Sequence, residues 1–154
     1  MREDVERTVR RFGLEPHPEG GWYRETLRSA FCTTIMYLLP AGQYSAWHRV
    51  RGADEVWHHY AGDLLALHTL SDNGHERIVL GDDVHHAVVP ASRWQAAVPL
   101  GDQWSLMGCT VAPAFEFSRL EIADRTSLAA DYPEHERLVA RFTRAPVVSH
   151  PQSG

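Results

Sequence analysis

No lysine occurs in the 154 residues, and all 15 side chains of fixed positive charge are arginine. That excludes every mechanism built on an ε-amino group: a Schiff-base lysine, a pyridoxal-phosphate anchor and the lysine of a phosphate-binding P-loop. Cysteine is nearly as scarce. Cys32 and Cys109 are far apart and form no CxxC pair, which argues against a disulfide framework and a zinc ribbon and leaves two reduced, half-buried thiols. No apolar run approaches the roughly 20 residues that cross a bilayer. The amino-terminal MREDVERTVRR lacks the apolar core of a secretory signal, so a cytoplasmic protein without a membrane partner is expected. The net charge is −5 with no basic cluster, which withholds the electrostatic footprint that nucleic-acid backbones require. Acid–base chemistry must therefore rest on histidine, carboxylates, tyrosine or a metal.

A chain of this length suits one domain with one core. Val5, Val9 and Phe12 recur at helical spacing over residues 3–12, and Gly13 follows where a left-handed cap belongs. HPEGG then breaks the pattern. From Trp22 to about Val111 the chain becomes short aromatic and β-branched runs (TTIMYLL, YSAWHRV, EVWHHYA, LLALHTL, RIVL, HAVVP, RWQAAV, WSLMGCTV) separated by turn residues. Strands so spaced make a sandwich or barrel. YPEHERLVARF returns to helical spacing. The organisation expected is an N-terminal helix and lead-in loop over 1–20, a barrel over 21–126, a C-terminal helix over 127–144 and a disordered tail over 145–154.

The chemistry is concentrated between Gly42 and Gly62, in GQYSAWHRVRGADEVWHHYAG. Alternate strand residues share a face, so Ala46, His48 and Val50 point one way. RGAD turns the chain, and Glu55, Trp57 and His59 line what reads as the paired strand. His48 and Glu55 then converge inside a barrel. A polar ring buried there costs about 1–3 kcal/mol if unpaired, and a buried carboxylate must be paired, metal-bound or raised in pKa. His48 is thus a candidate ligand or general base, and Glu55 its companion. Gln95, in PASRWQ, offers an amide to a substrate or a metal. His48, Glu55 and Gln95 together form a hard, weak ligand set for Mn, Fe(II) or Zn, to which Val50 adds nothing. A catalytic zinc site has three good protein ligands, so a metal-free pocket is favoured over an essential divalent ion. His59, inward by the same parity, is a candidate for the substrate or a third ligand at another level. His58 and His59, like His85 and His86, face opposite ways and cannot chelate as neighbours. His68, His75 and His135 are expected at the surface or an edge. Trp57 shares a face with Glu55 and suits stacking on a ring substrate, while Trp22, Trp47, Trp94 and Trp104 are expected in the core and a dimer interface. The two glycines of HPEGGWYRET permit a tight turn, after which Tyr23 and Glu25 share one face and Trp22 and Arg24 the other. Glu116, in FEF on a late strand, is the candidate to orient His48 as its dyad partner.

Gly42, His48, Val50, Glu55 and Gly62 stand at the spacing of the first signature of the cupin superfamily, with valine where a second histidine is usual. Pro90, Ser92 and Gln95 occupy the second signature, with serine for glycine and glutamine for histidine. LEPHPEGGWYRET, SAWHRVRGADEVWHHYAGD, VVPASRWQAA and CTVAPAFEF together resemble the cupin-5 family, domain of unknown function 985, across nearly the whole chain. Ala114 departs from a usual glycine. The resemblance implies an all-β, double-stranded β-helix (cupin jelly roll) with short terminal helices, commonly dimeric and of largely unassigned activity. It also implies kinship with dTDP-sugar epimerases, metal-free barrels with a catalytic histidine at the place of His48. By the same resemblance the strand after HPEGG passes the pocket mouth, where Tyr23 and Arg24 or Glu25 would meet a polar substrate.

The functional expectation is a homodimeric enzyme of epimerase, isomerase or lyase type acting on a small sugar-like or keto/hydroxy-acid substrate. His48, Glu55 and Glu116 would carry the proton chemistry, and Gln95, Trp57, His59, Tyr23 and Arg24 would hold the substrate, with or without one weakly bound divalent ion. A non-catalytic small-molecule-binding cupin and a metal-dependent oxygenase are the alternatives.

Overall fold

Charges flank the first helix with the signs that its dipole favours. In α1, Glu3–Phe12, acidic residues fill the first turn and Arg10 and Arg11 the last, and Gly13 at φ 63° closes it with its N–H on the Val9 and Arg10 carbonyls. The computed structural model describes residues 2–144, so the tail expected over 145–154 lies outside the described residues. After α1 come β1 (Glu15–Pro16), β2 (Trp22–Arg28), β3 (Thr33–Pro40), β4 (Ser45–Val50), β5 (Asp54–Gly62), β6 (Leu65–Ser71), β7 (Gly74–Leu80), β8 (His86–Val89), β9 (Trp94–Pro99), β10 (Trp104–Ala112) and β11 (Leu120–Ile122). α2 (Arg125–Asp131) and α3 (Glu136–Arg141) complete the chain. The strands form a six-stranded sheet, β1-β2-β3-β10-β5-β8, facing a five-stranded one, β11-β4-β9-β6-β7. This is the all-β double-stranded β-helix, every strand pair antiparallel. No helix among the described residues is long and apolar enough to cross a membrane.

The topology corrects one sequence expectation directly. β4 and β5 are not paired: they lie in opposite sheets, so RGAD carries the chain across the barrel rather than around a hairpin. Strand alternation fixes which residues share a face, but it does not choose the hydrogen-bonding partner. His48 and Glu55 therefore meet across the interior instead of side by side.

Apolar surface is buried in layers. Tyr37, Leu39, Trp57, Leu65, Leu67, Val89 and Met107 fill the space between the sheets. On the outer face of the five-stranded sheet Trp47, Leu70 and Trp94 pack under Leu128, Val139 and Phe142 of the C-terminal helical segment. α1 covers Leu38 and Leu106 on the other sheet. Helices on both outer faces explain why β4 is buried on consecutive residues, Ser45 to His48, rather than alternately. The single helix expected over 127–144 is two, interrupted by a 3-10 turn at Pro133–His135, because proline disfavours helical geometry at Tyr132 (φ −129°, ψ 64°). His68, expected at the surface, is 4% exposed, its ring between those of His75 and Phe142. Cys109 is fully buried rather than half-buried, while Cys32 is intermediate.

Gly20 and Gly21, at φ 114° and 77°, carry the loop before β2 tightly over the barrel. A Cβ on Gly20 would overlap the Tyr44 carbonyl oxygen, and one on Gly21 the Leu38 carbonyl oxygen and the Leu39 side chain. Both conformations are ones that side-chain-bearing residues rarely adopt. Gly20→Ala and Gly21→Ala should each lower the unfolding free energy by about 2 kcal/mol or more, measured by urea titration.

Candidate functional site

Strands from both sheets, the loop that carries His17 and Glu19 and the segment after β10 enclose a cavity of about 60 Å³ that opens to the surface. His48 and Glu55 line it, Val50, Ile35, Val111 and Phe115 form apolar walls, and Tyr23, Glu25 and Arg28 stand around it.

His48 is 1% and Glu55 6% exposed. Its Nδ1–H lies 2.7 Å from the Ala46 carbonyl and 3.0 Å from Glu19 Oε2, so two acceptors hold the proton on Nδ1 and turn Nε2 into the cavity. There Nε2 lies 4.0 Å from Glu55 Oε1, close enough to feel the charge and too far for a hydrogen bond. Gln95 is cross-strand from His48 and fixes Glu55 from behind: its amide nitrogen donates to Glu55 Oε1 at 2.9 Å while its oxygen accepts from Trp57 Nε1 at 2.7 Å.

These contacts separate the acidities. Burial opposes charge on His48, but the Glu19 carboxylate, by charge and by hydrogen bond, together with Glu55, outweighs it and lifts the ring to about 9. Burial raises Glu55 to about 7 against the pull of His48. For Glu19 burial also acts upward, yet the charges of His48 and His17 and the His48 hydrogen bond hold its carboxyl below the ordinary value. Cys109, beside Glu55, is pushed well above the usual thiol range by burial and by both carboxylates. It is a thiol, not a thiolate nucleophile.

The dyad partner of His48 is Glu19, not Glu116. Glu116 is exposed, precedes a 3-10 turn rather than lying in a strand, and is absent from the cavity wall. Trp57 is fully buried with its indole committed to Gln95, so it braces the site and presents no face to a ring substrate. His59 points its Nε2 to the Asp63 carbonyl at 2.8 Å, away from the cavity. Arg24 is exposed and reaches the Phe12 carbonyl beside α1. Gln95 lies behind Glu55 and does not line the cavity. Tyr23 does line it, with Glu25, whose carboxylate pairs with Arg28 at 2.6 and 3.0 Å instead of with Arg24. Arg49 and Arg51, the rim partners conceivable for Glu55, bind Glu121. Sequence reasoning missed Glu19 and His17 because a loop has no periodicity to reveal which side chains turn inward. The only signal was an acid preceding two adjacent glycines.

The donor set does not fit a divalent ion. Gln95 offers its nitrogen to Glu55 and its oxygen is taken by Trp57, Val50 has no donor, and one nitrogen of His48 is held by Glu19 and Ala46. One imidazole nitrogen and one carboxylate are left. Among the described residues no group of three or more His, Cys, Asp and Glu side chains is arranged to hold a metal.

A family described as Cupin superfamily (DUF985) matches residues 6–123. A solved structure from Shewanella oneidensis is 31% identical and superposes with a TM-score of 0.85 over 94% of this chain and 99% of its own. A hypothetical protein from Leishmania major is 28% identical, TM-score 0.83, covering 91% of this chain and 98% of its own. The capsular polysaccharide assembling protein CapF from Staphylococcus aureus, 14% identical with a TM-score of 0.59 over 72% of this chain and 34% of its own, shares the fold. Among curated proteins none matches.

Glu19→Gln removes the charge that holds His48 protonated. The His48 titration, followed by NMR, should fall from about 9 by at least one unit, whereas Glu116→Gln should leave it in place.

Proposed function

This chain belongs to the DUF985 family of the cupin superfamily, and from that premise we propose that it is an acid–base enzyme of the isomerase or epimerase type, acting on a small, uncharged, sugar-like substrate. The observation that carries this reading is the line Glu19–His48–Glu55: a buried imidazole with one carboxylate at 3.0 Å on Nδ1 and a second at 4.0 Å from Nε2. Two groups whose environments push their acidities apart are what an acid and a base acting near neutral pH require. The gap between Nε2 and Glu55 is wide enough that neither group satisfies the other, so both are free for a substrate atom.

With the ring lifted to about 9 and Glu55 to about 7, the assignment at pH 8 is Glu55 as base and His48 as acid. Glu55 takes a proton from a carbon next to a carbonyl. The C–H electron pair becomes a C=C bond, and the carbonyl π pair moves to oxygen, which the His48 Nε2–H meets. Return of the proton from Glu55 to the former carbonyl carbon gives an isomer, that carbon's oxygen keeping the proton from His48 while the neighbouring hydroxyl gives its own to His48 and becomes the carbonyl. An epimer forms when water delivers a proton to the opposite face and Glu55 returns its proton to solvent, with composition unchanged. Glu19 holds the imidazolium in place, and Gln95, itself anchored by Trp57, aims Glu55. This reverses the roles expected from the sequence, where His48 was the base and Glu116 its partner.

The substrate class follows from charge. Arg28 is the one arginine on the cavity wall among the described residues, and Glu25 already holds it in a bidentate pair. Among the described residues no arginine on the wall is left for a phosphate or carboxylate, and the cationic His48 already stands beside Glu19 and Glu55, so a neutral polyhydroxy carbonyl fits better than a keto or hydroxy acid. The fold shared with the capsular polysaccharide assembling protein is compatible with sugar chemistry.

Dihydroxyacetone and unphosphorylated ketoses in D₂O provide the test, with deuterium entering the carbon beside the carbonyl. kcat/KM should rise through about pH 7 as Glu55 ionises and fall through about pH 9 as His48 loses its proton. Glu55→Gln and His48→Gln should each lose about 100-fold or more. Binding without exchange would return the protein to the class of non-catalytic binding cupins.

A further inference from the structure

Glu19 organises two imidazoles, and the reaction above uses one. His17 lies in the loop before β2, its side chain 8% exposed, its ring edge-on to Tyr23 at 4.6 Å and Tyr37 at 5.4 Å, and it lines the same cavity as His48. Its Nδ1 accepts the Glu19 backbone N–H at 3.1 Å. A nitrogen that accepts carries no proton, so the proton of the neutral ring sits on Nε2. The Glu19 carboxylate, 3.6 Å from that Nδ1, is beyond hydrogen-bonding distance and does not compete. Nε2–H makes no hydrogen bond among the described residues, where the buried side-chain atoms without a partner are Ser45 Oγ and Arg119 Nε, so Nε2 is open to the cavity or to solvent. Burial, the first influence on this ring, lowers its pKa and favours the neutral form despite the opposing Glu19 carboxylate, and His48 and Arg144 act in the same direction as burial. One residue thus sets opposite states on two rings. Its main chain keeps His17 neutral and Nε2-protonated, and its side chain keeps His48 cationic.

We propose that His17 is a second catalytic group of this pocket, a neutral imidazole whose Nε2–H donates to the substrate oxygen on which negative charge develops. The proposal rests on the acid–base reading above and adds a second donor on the cavity wall, beside the same Glu19 carboxylate that His48 contacts. Atoms balance as before: the proton leaves carbon for Glu55, the electron pair ends on oxygen, and His17 keeps its own proton while hydrogen-bonding that oxygen. A neutral donor suits this place because a second imidazolium beside His48 would repel the first. Packing against Tyr23 and Tyr37 holds the His17 ring on the cavity wall before substrate arrives, and a donor held in place in advance is what makes such a group effective.

The test has two arms on the intact chain. First, long-range ¹⁵N–¹H NMR with labelled histidine at pH 8 should find His17 neutral and protonated on Nε2 alone, and its Nε2–H resonance should move on titration with dihydroxyacetone. A His17 protonated on Nδ1, a cationic His17, or no movement of that resonance overturns the proposal whether or not exchange occurs. Second, His17→Phe should lower kcat for deuterium exchange about 10²–10³-fold with both pH limbs in place, and His17→Gln, which retains an N–H near the position of Nε2, should recover to within about tenfold of wild type. A His17→Phe variant within twofold of wild type also overturns it. Absence of exchange in the wild-type protein would sink the isomerase reading alone and leave His17 to the first arm.

Discussion

A carboxylate that cannot reach water must find a cation, and in this protein Glu19 finds His48. Glu19 is 5% exposed, and an isolated charge at that depth would cost several kcal/mol. The 3.0 Å contact to His48 Nδ1 compensates it and simultaneously fixes the imidazole's charge, tautomer and direction. The rest of the pocket is built outward from this pair. The Glu19 carbonyl accepts the Ala46 N–H at 2.9 Å, tying the loop to β4 two residues from His48. Gly20 and Gly21 allow the approach. Glu55 is left with His48 in front at 4.0 Å and Gln95 behind, and burial lifts its pKa to about 7 against the pull of both.

The changes in the second cupin signature acquire a structural meaning in this setting. Glutamine at 95 is not a weaker metal ligand but a spacer between an indole donor and a carboxylate acceptor, and its two ends match those partners in one orientation only. Ser92, standing for glycine, still takes the left-handed φ of 64°, and its hydroxyl accepts the Gly52 N–H at 3.3 Å. That hydrogen bond links the loop before β9 to the segment that carries the chain from His48 to Glu55. At positions 92 and 95 the side chains serve as hydrogen-bonding groups within the pocket's supporting shell.

Much of this was legible in the chain. The helix over Glu3–Phe12, the long run of strands and the inward faces of His48 and Glu55 follow from periods of 3.6 and 2 that local sterics impose. Trp57 illustrates the limit: parity put it on the inward face, where it lies, but depth along the barrel decides whether an inward residue meets the cavity or the core. His59 is two residues further from the cavity on the same strand, and turns to a main-chain carbonyl instead. Glu116 failed for a different reason, since the chain leaves regular structure after Ala112 and alternation no longer applies.

Residue types and their spacing along the chain were enough for the fold class, the positions of most strands, the absence of lysine chemistry and the two groups that face each other in the cavity. Each of these rests on residue type or on spacing of a few residues. The three-dimensional packing was needed to place β4 and β5 in opposite sheets, to bring Glu19 and His17 to the pocket from a loop some thirty residues before His48, and to set the Gln95 amide against the Glu55 carboxylate. Those outcomes depend on long-range burial: a buried ionisable group takes whichever partner the folded chain brings within about 3 Å, and spacing along the chain does not encode that partner.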